Sequence, residues 1–285
     1  LRALALDFDG VISDSAPESF LVALRTWDAL LPGSGLAADA AALAQPLVPA
    51  LARVRSHRLY APFLERMPLG NRAEDYGVVL ASLEAGHPLP DQQAYDAFRA
   101  ERDPGWLDAF HRRFYAVRDD LSRRAPAAWR ALMAPYPELV SLLRRRAGDV
   151  QLAIATSKDR RSVEALLALY GIADLFGPDR LLDKETGRSK AAHLTRLQQQ
   201  LRVPFREITF VDDKVNHLDG VVSLGVRCVL AAWGYNGVRE ERLARERGYL
   251  VLELADAEAG LFGPTAASAE PVEPVEPVEP TGNPS

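Results

Sequence analysis

A chain of 285 residues with 48% apolar and 26% charged side chains has the make-up of a globular protein, long enough for one large domain with an insert or for two domains. Much of its net charge of −5 comes from four glutamates late in the sequence, Glu270, Glu273, Glu276 and Glu279, so the rest is close to neutral and offers no electrostatic footprint for nucleic acid. The single cysteine, Cys228, excludes an internal disulfide and a multi-cysteine zinc site, and no apolar run is long enough to span a membrane.

The chain opens at Leu1, not Met, directly into a strand-like run over 1–6, without the layout of a secretory signal. We expect a cytoplasmic protein, and a start at Leu leaves room for a short leader ahead of it. The run ends at Leu6-Asp7-Phe8-Asp9-Gly10-Val11. Carboxylates at i and i+2 leave a strand end on the same side, and Gly10 permits a tight turn away from it. That layout suits a nucleophile and a second acid beside a metal; the plainer alternative is a turn with solvated aspartates.

Residues 16–134 then read as helical, with patterns over 18–31, 37–54, 75–84, 91–101 and 106–133 separated by Pro- and Gly-rich loops such as 31–35 and 86–90. Within them Arg53, Arg55, His57 and Arg58 form a basic run, and Arg72 follows in Gly70-Asn71-Arg72. Such a run is more often a solvated helix face than a contact for an acidic substrate. Tyr60, Tyr76 and Trp106 are expected in the core.

From Tyr136-Pro137 onward helices alternate with strands. Helical patterns over 138–146 and 189–201 lead into apolar runs over 150–155, 208–211 and 226–232. Such alternation implies a parallel sheet wound with crossovers, and ligands of these sheets sit beyond the carboxyl ends of the strands. Asp7, Thr156, Asp212 and Asp213 all occupy such ends. Cys228 lies inside the last run and reads as a small buried hydrophobe.

Three further motifs carry chemistry. In Ala155-Thr156-Ser157-Lys158 a hydroxyl at a strand end precedes amides opening a helix, which can hold a phosphate oxygen or simply cap the helix. In Ser189-Lys190 a cation stands at a helix N-terminus, where the dipole disfavours it, which points to a specific task such as holding a carboxylate and a phosphate oxygen, with a solvated surface lysine the equal alternative; Lys184 is the competing candidate. In Val211-Asp212-Asp213-Lys214 adjacent carboxylates repel unless a cation lies between them, and hard oxygen donors beside a phosphate select Mg²⁺. Of 34 basic residues only four are lysine, Lys158, Lys184, Lys190 and Lys214, all in one stretch. Compact ammonium groups clustered in an arginine-rich chain suggest shared sites. Over 265–285, Glu-Pro-Val repeats favour an extended, disordered tail.

In order and character these residues resemble the four motifs of the haloacid dehalogenase-like hydrolase superfamily, with a helical cap inserted after the first motif. The segment from Asp9 to Ser15, Tyr136-Pro137 and Ala232-Trp233-Gly234-Tyr235 are further similarities, and the last of these runs looks like its phosphoglycolate phosphatase branch. The resemblance implies an α/β fold, a Rossmann-like parallel sheet core flanked by helices with an inserted all-helical cap. The expected division is core over 1–15, cap over 16–134, core over 135–264 and tail over 265–285. It also implies a magnesium-dependent phosphohydrolase acting on a small phosphorylated metabolite. Asp7 would be the nucleophile and Asp9 the general acid and base, with a pKa raised by neighbouring acids. Thr156, Ser157 and Lys190 would bind phosphate; Asp7, Asp9 through its carbonyl, Asp212 and Asp213 would hold Mg²⁺. Asn216 and His217 stand where the family often carries a further acid. Arg53, Arg55 and Arg58 are the cap candidates for substrate contact. A phosphomutase of the same family and a non-catalytic scaffold are the alternatives. No membrane or nucleic-acid partner is expected, and the oligomeric state is open.

Overall fold

The computed structural model of the chain describes residues 1–70, 72–187 and 189–263; the tail expected over 265–285 lies outside the described residues. The described residues form eight strands, β1 (Ala3–Leu6), β2 (Ser13–Asp14), β3 (Ala134–Pro135), β4 (Gln151–Ala155), β5 (Leu181–Leu182), β6 (Ile208–Asp212), β7 (Arg227–Ala231) and β8 (Leu250–Leu252). Six of them form one parallel sheet in the order β5-β4-β1-β6-β7-β8. All four β1 residues are fully buried, as an apolar strand covered by helices on both faces requires. Cys228 is buried in β7, as expected.

Register sets the position of the site. Leu6 lies beside Ile154 on one side and Val211 on the other. The residues that follow, Asp7, Ala155-Thr156 and Asp212-Asp213, therefore leave the sheet at one level. β1 is flanked by β4 and β6, so this level borders the crevice where the winding direction changes. The strands β5 and β8 have only two and three residues, too short to give a periodic signal in the sequence.

Among the described residues, eight α-helices lie between β2 and β3, from Ala16–Leu30 to Pro126–Arg130. Two expected helices are broken. The pattern over 37–54 divides into Ala37–Ala42 and Leu51–Arg55, with Pro46 and Pro49 in the gap. The pattern over 106–133 divides into Pro104–Arg124 and Pro126–Arg130. Proline lacks the N–H an internal turn needs and its ring strikes the preceding turn, so each break falls at a proline.

The insert is held by an aromatic chain. Phe20 meets Phe63 and Tyr60, Phe63 meets Tyr76, and Tyr76 meets Phe114, with ring centroids 5.3–5.7 Å apart. Beside it the fully buried Glu18 accepts two bonds from Arg118, at 2.8 and 2.6 Å, and one from the Trp129 indole at 3.1 Å. The insert enters and leaves through β2 and β3, which pair antiparallel with Ser13 opposite Pro135. Tyr235, from the loop after β7, closes this junction: its hydroxyl accepts the Ser15 amide and donates to the Ser13 carbonyl.

Candidate active site

Asp7 follows β1 and is buried. Its Oδ2 lies 2.8 Å from Lys190 Nζ, and that ammonium also lies 3.1 Å from Asp212 Oδ2 and donates to the Ala155 carbonyl at 2.7 Å. Lys190 is the first residue of the helix Lys190–Leu201, capped by Ser189, whose hydroxyl accepts the Ala192 amide. The cation at a helix N-terminus is thus explained by three acceptors on neighbouring strand ends. Lys184, the competitor, is exposed and lies in the wall of the adjoining cavity.

Burial raises the Asp7 carboxyl above the usual range, with Lys190 opposing and Asp212 adding to the rise. Burial acts the same way on Asp212, but His217 and Lys190 outweigh it and hold that carboxyl low. His217 Nδ1 lies 3.0 and 3.1 Å from the two Asp212 oxygens, and the Lys214 amide donates to Oδ1 at 3.0 Å. Both Asp212 oxygens are therefore committed.

Asp213 differs. Its Oδ2 accepts the Tyr235 amide at 2.9 Å, while its Oδ1 is buried without a hydrogen-bond partner among the described residues. Burial, and then repulsion from Asp212, push this carboxyl well above its ordinary range. The loop glycines allow the approach. Gly10 has φ +83°, and a Cβ there would lie 2.3 Å from Asp213 Oδ2; one on Gly234 would meet Asp213 Cβ at the same distance. A buried carboxylate oxygen with no donor, next to other acids, fits a cation. Donor atoms of Asp7, Asp212 and His217 also lie within 4.8 Å of one another. The Lys190 ammonium already contacts the first two, so Asp213 is the better anchor.

Asp9 stands apart from these acids. Lys158 Nζ lies 3.0 and 3.1 Å from its two oxygens, and the Ser15 hydroxyl donates to Oδ1. Burial works to raise its carboxyl, but Lys158 and Ser15 prevail and hold it below the usual range. The expected rise from neighbouring acids is thus wrong: the nearest charge is a cation that the sequence reading gave no role.

Thr156 is buried, and its hydroxyl accepts the Lys158 amide at 3.2 Å. It is not the helix cap: Asp159 caps the helix Arg160–Leu169 by accepting the Ser162 amide. Thr156 and the exposed Ser157 are left in the wall of a cavity of about 300 Å³, together with Asp7, Asp9, Lys158 and Asp213. The insert supplies the opposite wall through Met67, Arg72, Tyr76, Phe114, Tyr115 and Arg118.

Arg53, Arg55 and Arg58 are absent from that wall. Arg53 donates to the carbonyls of Ala42 and Gln45, Arg55 to Asp14, and Arg58 to Asp39. Arg53 and Arg58 thus hold the insert together and Arg55 ties it to β2, and the structure does not bring these three expected substrate contacts to the cavity. Tyr76, expected in the core, is part of the wall. The one sequence signal for the missed residues was the lysine cluster. Lys158 pairs with Asp9, Lys190 with Asp7, and Lys184 and Lys214 line the cavity.

The curated human protein "Magnesium-dependent phosphatase 1" is 29% identical over 103 residues, 35% of this chain and 56% of that protein. The chain thus spans little more than half of that relative's length. Two solved structures share the fold. A candidate phosphoglycolate phosphatase from Lactobacillus delbrueckii superposes with a TM-score of 0.66 at 14% identity, over 92% of this chain and 99% of that one. A predicted phosphoglycolate phosphatase from Haemophilus somnus gives 0.60 at 18% identity, over 92% and 98%. No described helix is long and apolar enough to cross a membrane. The family profile described as haloacid dehalogenase-like hydrolase matches residues 1–225, and the chain belongs to that family.

Proposed function

We propose that the protein is a magnesium-dependent phosphatase that hydrolyses a small phosphomonoester through an aspartyl phosphate on Asp7. The observation that carries this reading is the meeting of Asp7 with Lys190 at 2.8 Å beside Asp213, whose buried Oδ1 has no partner among the described residues. Mg²⁺ would be held by Asp213 and Asp7 with the Asp9 backbone carbonyl, and would supply positive charge to the phosphoryl oxygens. Asp212 would support from behind, since both its oxygens already serve Lys190, His217 and the Lys214 amide.

Asp7 Oδ attacks phosphorus, and the bond from phosphorus to the leaving oxygen breaks as Asp9 gives that oxygen a proton. Asp9, now a carboxylate, takes a proton from water; the water oxygen attacks phosphorus and the bond to Asp7 breaks, releasing inorganic phosphate. Thr156, Ser157 and Lys190 bind the phosphoryl oxygens in this scheme. Without substrate, Lys158 and Ser15 hold Asp9 in its ionised form. An incoming phosphate dianion competes for the Lys158 ammonium and leaves Asp9 free to carry the proton. The helical insert is the cap, closing the cavity from water.

The test is phosphate release from an aryl phosphate with Mg²⁺, with EDTA, and by Asp7→Asn. Release that needs Mg²⁺ and Asp7 is expected. No release from that substrate or a broad phosphometabolite panel would favour a scaffold role.

A further inference from the structure

Lys214 directly follows the two acids of the last motif, yet its ammonium bonds neither of them. It donates to the Gly70 carbonyl of the insert at 2.7 Å, and no carboxylate among the described residues lies within 4.0 Å of it. Gly70 ends the short turn Met67–Leu69 and precedes the segment that brings Arg72 and Ala73 to the cavity wall, with Met67 on the other side. The turn is tightly packed, since a Cβ on Gly70 would lie 2.3 Å from Asp75 Cβ. The bond therefore joins the loop of Asp212 and Asp213 to the part of the insert that lines the cavity.

A second link runs in parallel. Tyr235 and Asn236 hold Asp213, through the Tyr235 amide to Oδ2 and the Asn236 side chain to the Asp213 carbonyl. Three residues on, Arg239 donates to the carbonyls of Glu65 and Pro90 in the insert. Of the two links, the Lys214 bond is shorter and reaches the cavity wall. A compact ammonium suits one lone carbonyl, whereas a guanidinium fork prefers two acceptors.

We propose that Lys214 is a positioning residue for substrate binding, pinning the Met67–Gly70 turn and the Arg72 segment over the cavity. This rests on the phosphatase reading of the same site. Without the pin, the closed arrangement is a smaller share of the free protein, and apparent affinity falls by that share. Bound substrate restores closure at saturation, so the loss falls on KM and not on kcat.

The experiment uses the full chain with Mg²⁺ and an aryl phosphate, comparing wild type, Lys214→Met and Lys214→Arg. Amide hydrogen exchange of the turn is measured on the same proteins without substrate. We expect Lys214→Met to raise KM about tenfold with kcat within about threefold, and to speed exchange at the turn by a similar factor. Lys214→Arg, which keeps a cationic donor but spreads it over a fork facing a single carbonyl, recovers only part of both. Unchanged exchange in Lys214→Met overturns the proposal whatever happens to KM, because the turn is then not pinned by this residue. A fall in kcat at constant KM also overturns it, since Lys214 would then act on the chemistry. An inactive wild type defeats the phosphatase reading instead, and the exchange result still decides whether the pin exists.

Discussion

At the carboxyl end of the sheet, charged groups face charged groups of other strands and remain open to a cavity. In the helical insert, most charged groups are spent on its own packing, although Arg72 and Arg118 also line the cavity. Lys190 meets Asp7 and Asp212, and Lys158 meets Asp9, each across separate chain segments. Arg53, Arg58 and Arg118 instead tie helix to loop or helix to helix. The strand ends are fixed by register, so a side chain there keeps its aim; the insert must first stabilise its own packing, and only what is left can meet a ligand. In the proposed scheme, chemistry belongs to the first region and substrate choice to the second.

Several substitutions would break or sharpen that division. Asp7→Asn removes the proposed nucleophile, and turnover should drop at least about a thousandfold with an unchanged circular dichroism spectrum. Residual turnover near wild type would move the nucleophile elsewhere. Asp9→Asn should lower kcat about a hundredfold or more, the usual scale for a lost general acid and base; steady-state kinetics at saturating substrate decides it. In the insert, Glu18→Gln leaves Arg118 without its carboxylate. Because Arg118 keeps some solvent contact, the loss of stability in urea unfolding should be about 2–3 kcal/mol, below the full cost of breaking a buried pair. Arg53→Ala and Arg58→Ala should change KM by less than about twofold, since both guanidiniums point at the insert's own backbone or at Asp39. A large rise in KM for either would return them to the substrate.

The sequence makes the first of these regions readable and the second opaque, for physical reasons. Apolar runs ending in Asp7, Thr156 and Asp212 mark strand ends, and parallel winding forces such ends together. Lys190 betrays itself by standing at a helix start, where a cation is disfavoured without acceptors such as the three it has. Which lysine meets Asp9 is not legible, because Lys158 reaches it across 149 positions of sequence and only the register of β1 with β4 brings them together. That contact also inverts the expected shift at Asp9. The insert is harder still. Its helical periodicity shows through, but Pro46 and Pro126 break two helices, and the arginines that read as a basic face are bound internally. Tyr76 packs against the core between Phe63 and Phe114, as an apolar aromatic should, and also reaches the cavity wall, which nothing in the sequence signals. The strands β5 and β8 escape because two or three residues carry no period.

Covalent capture tests the central claim most directly. The protein with Mg²⁺ is mixed with a radiolabelled phosphomonoester, quenched in acid within the first turnover, and mapped by peptide. The label should reside on Asp7, be released by hydroxylamine as an acyl phosphate is, and be absent from Asp7→Asn. Label on any other residue, or turnover with no label captured at any quench time, would contradict the assignment of Asp7 as the group that takes up phosphorus.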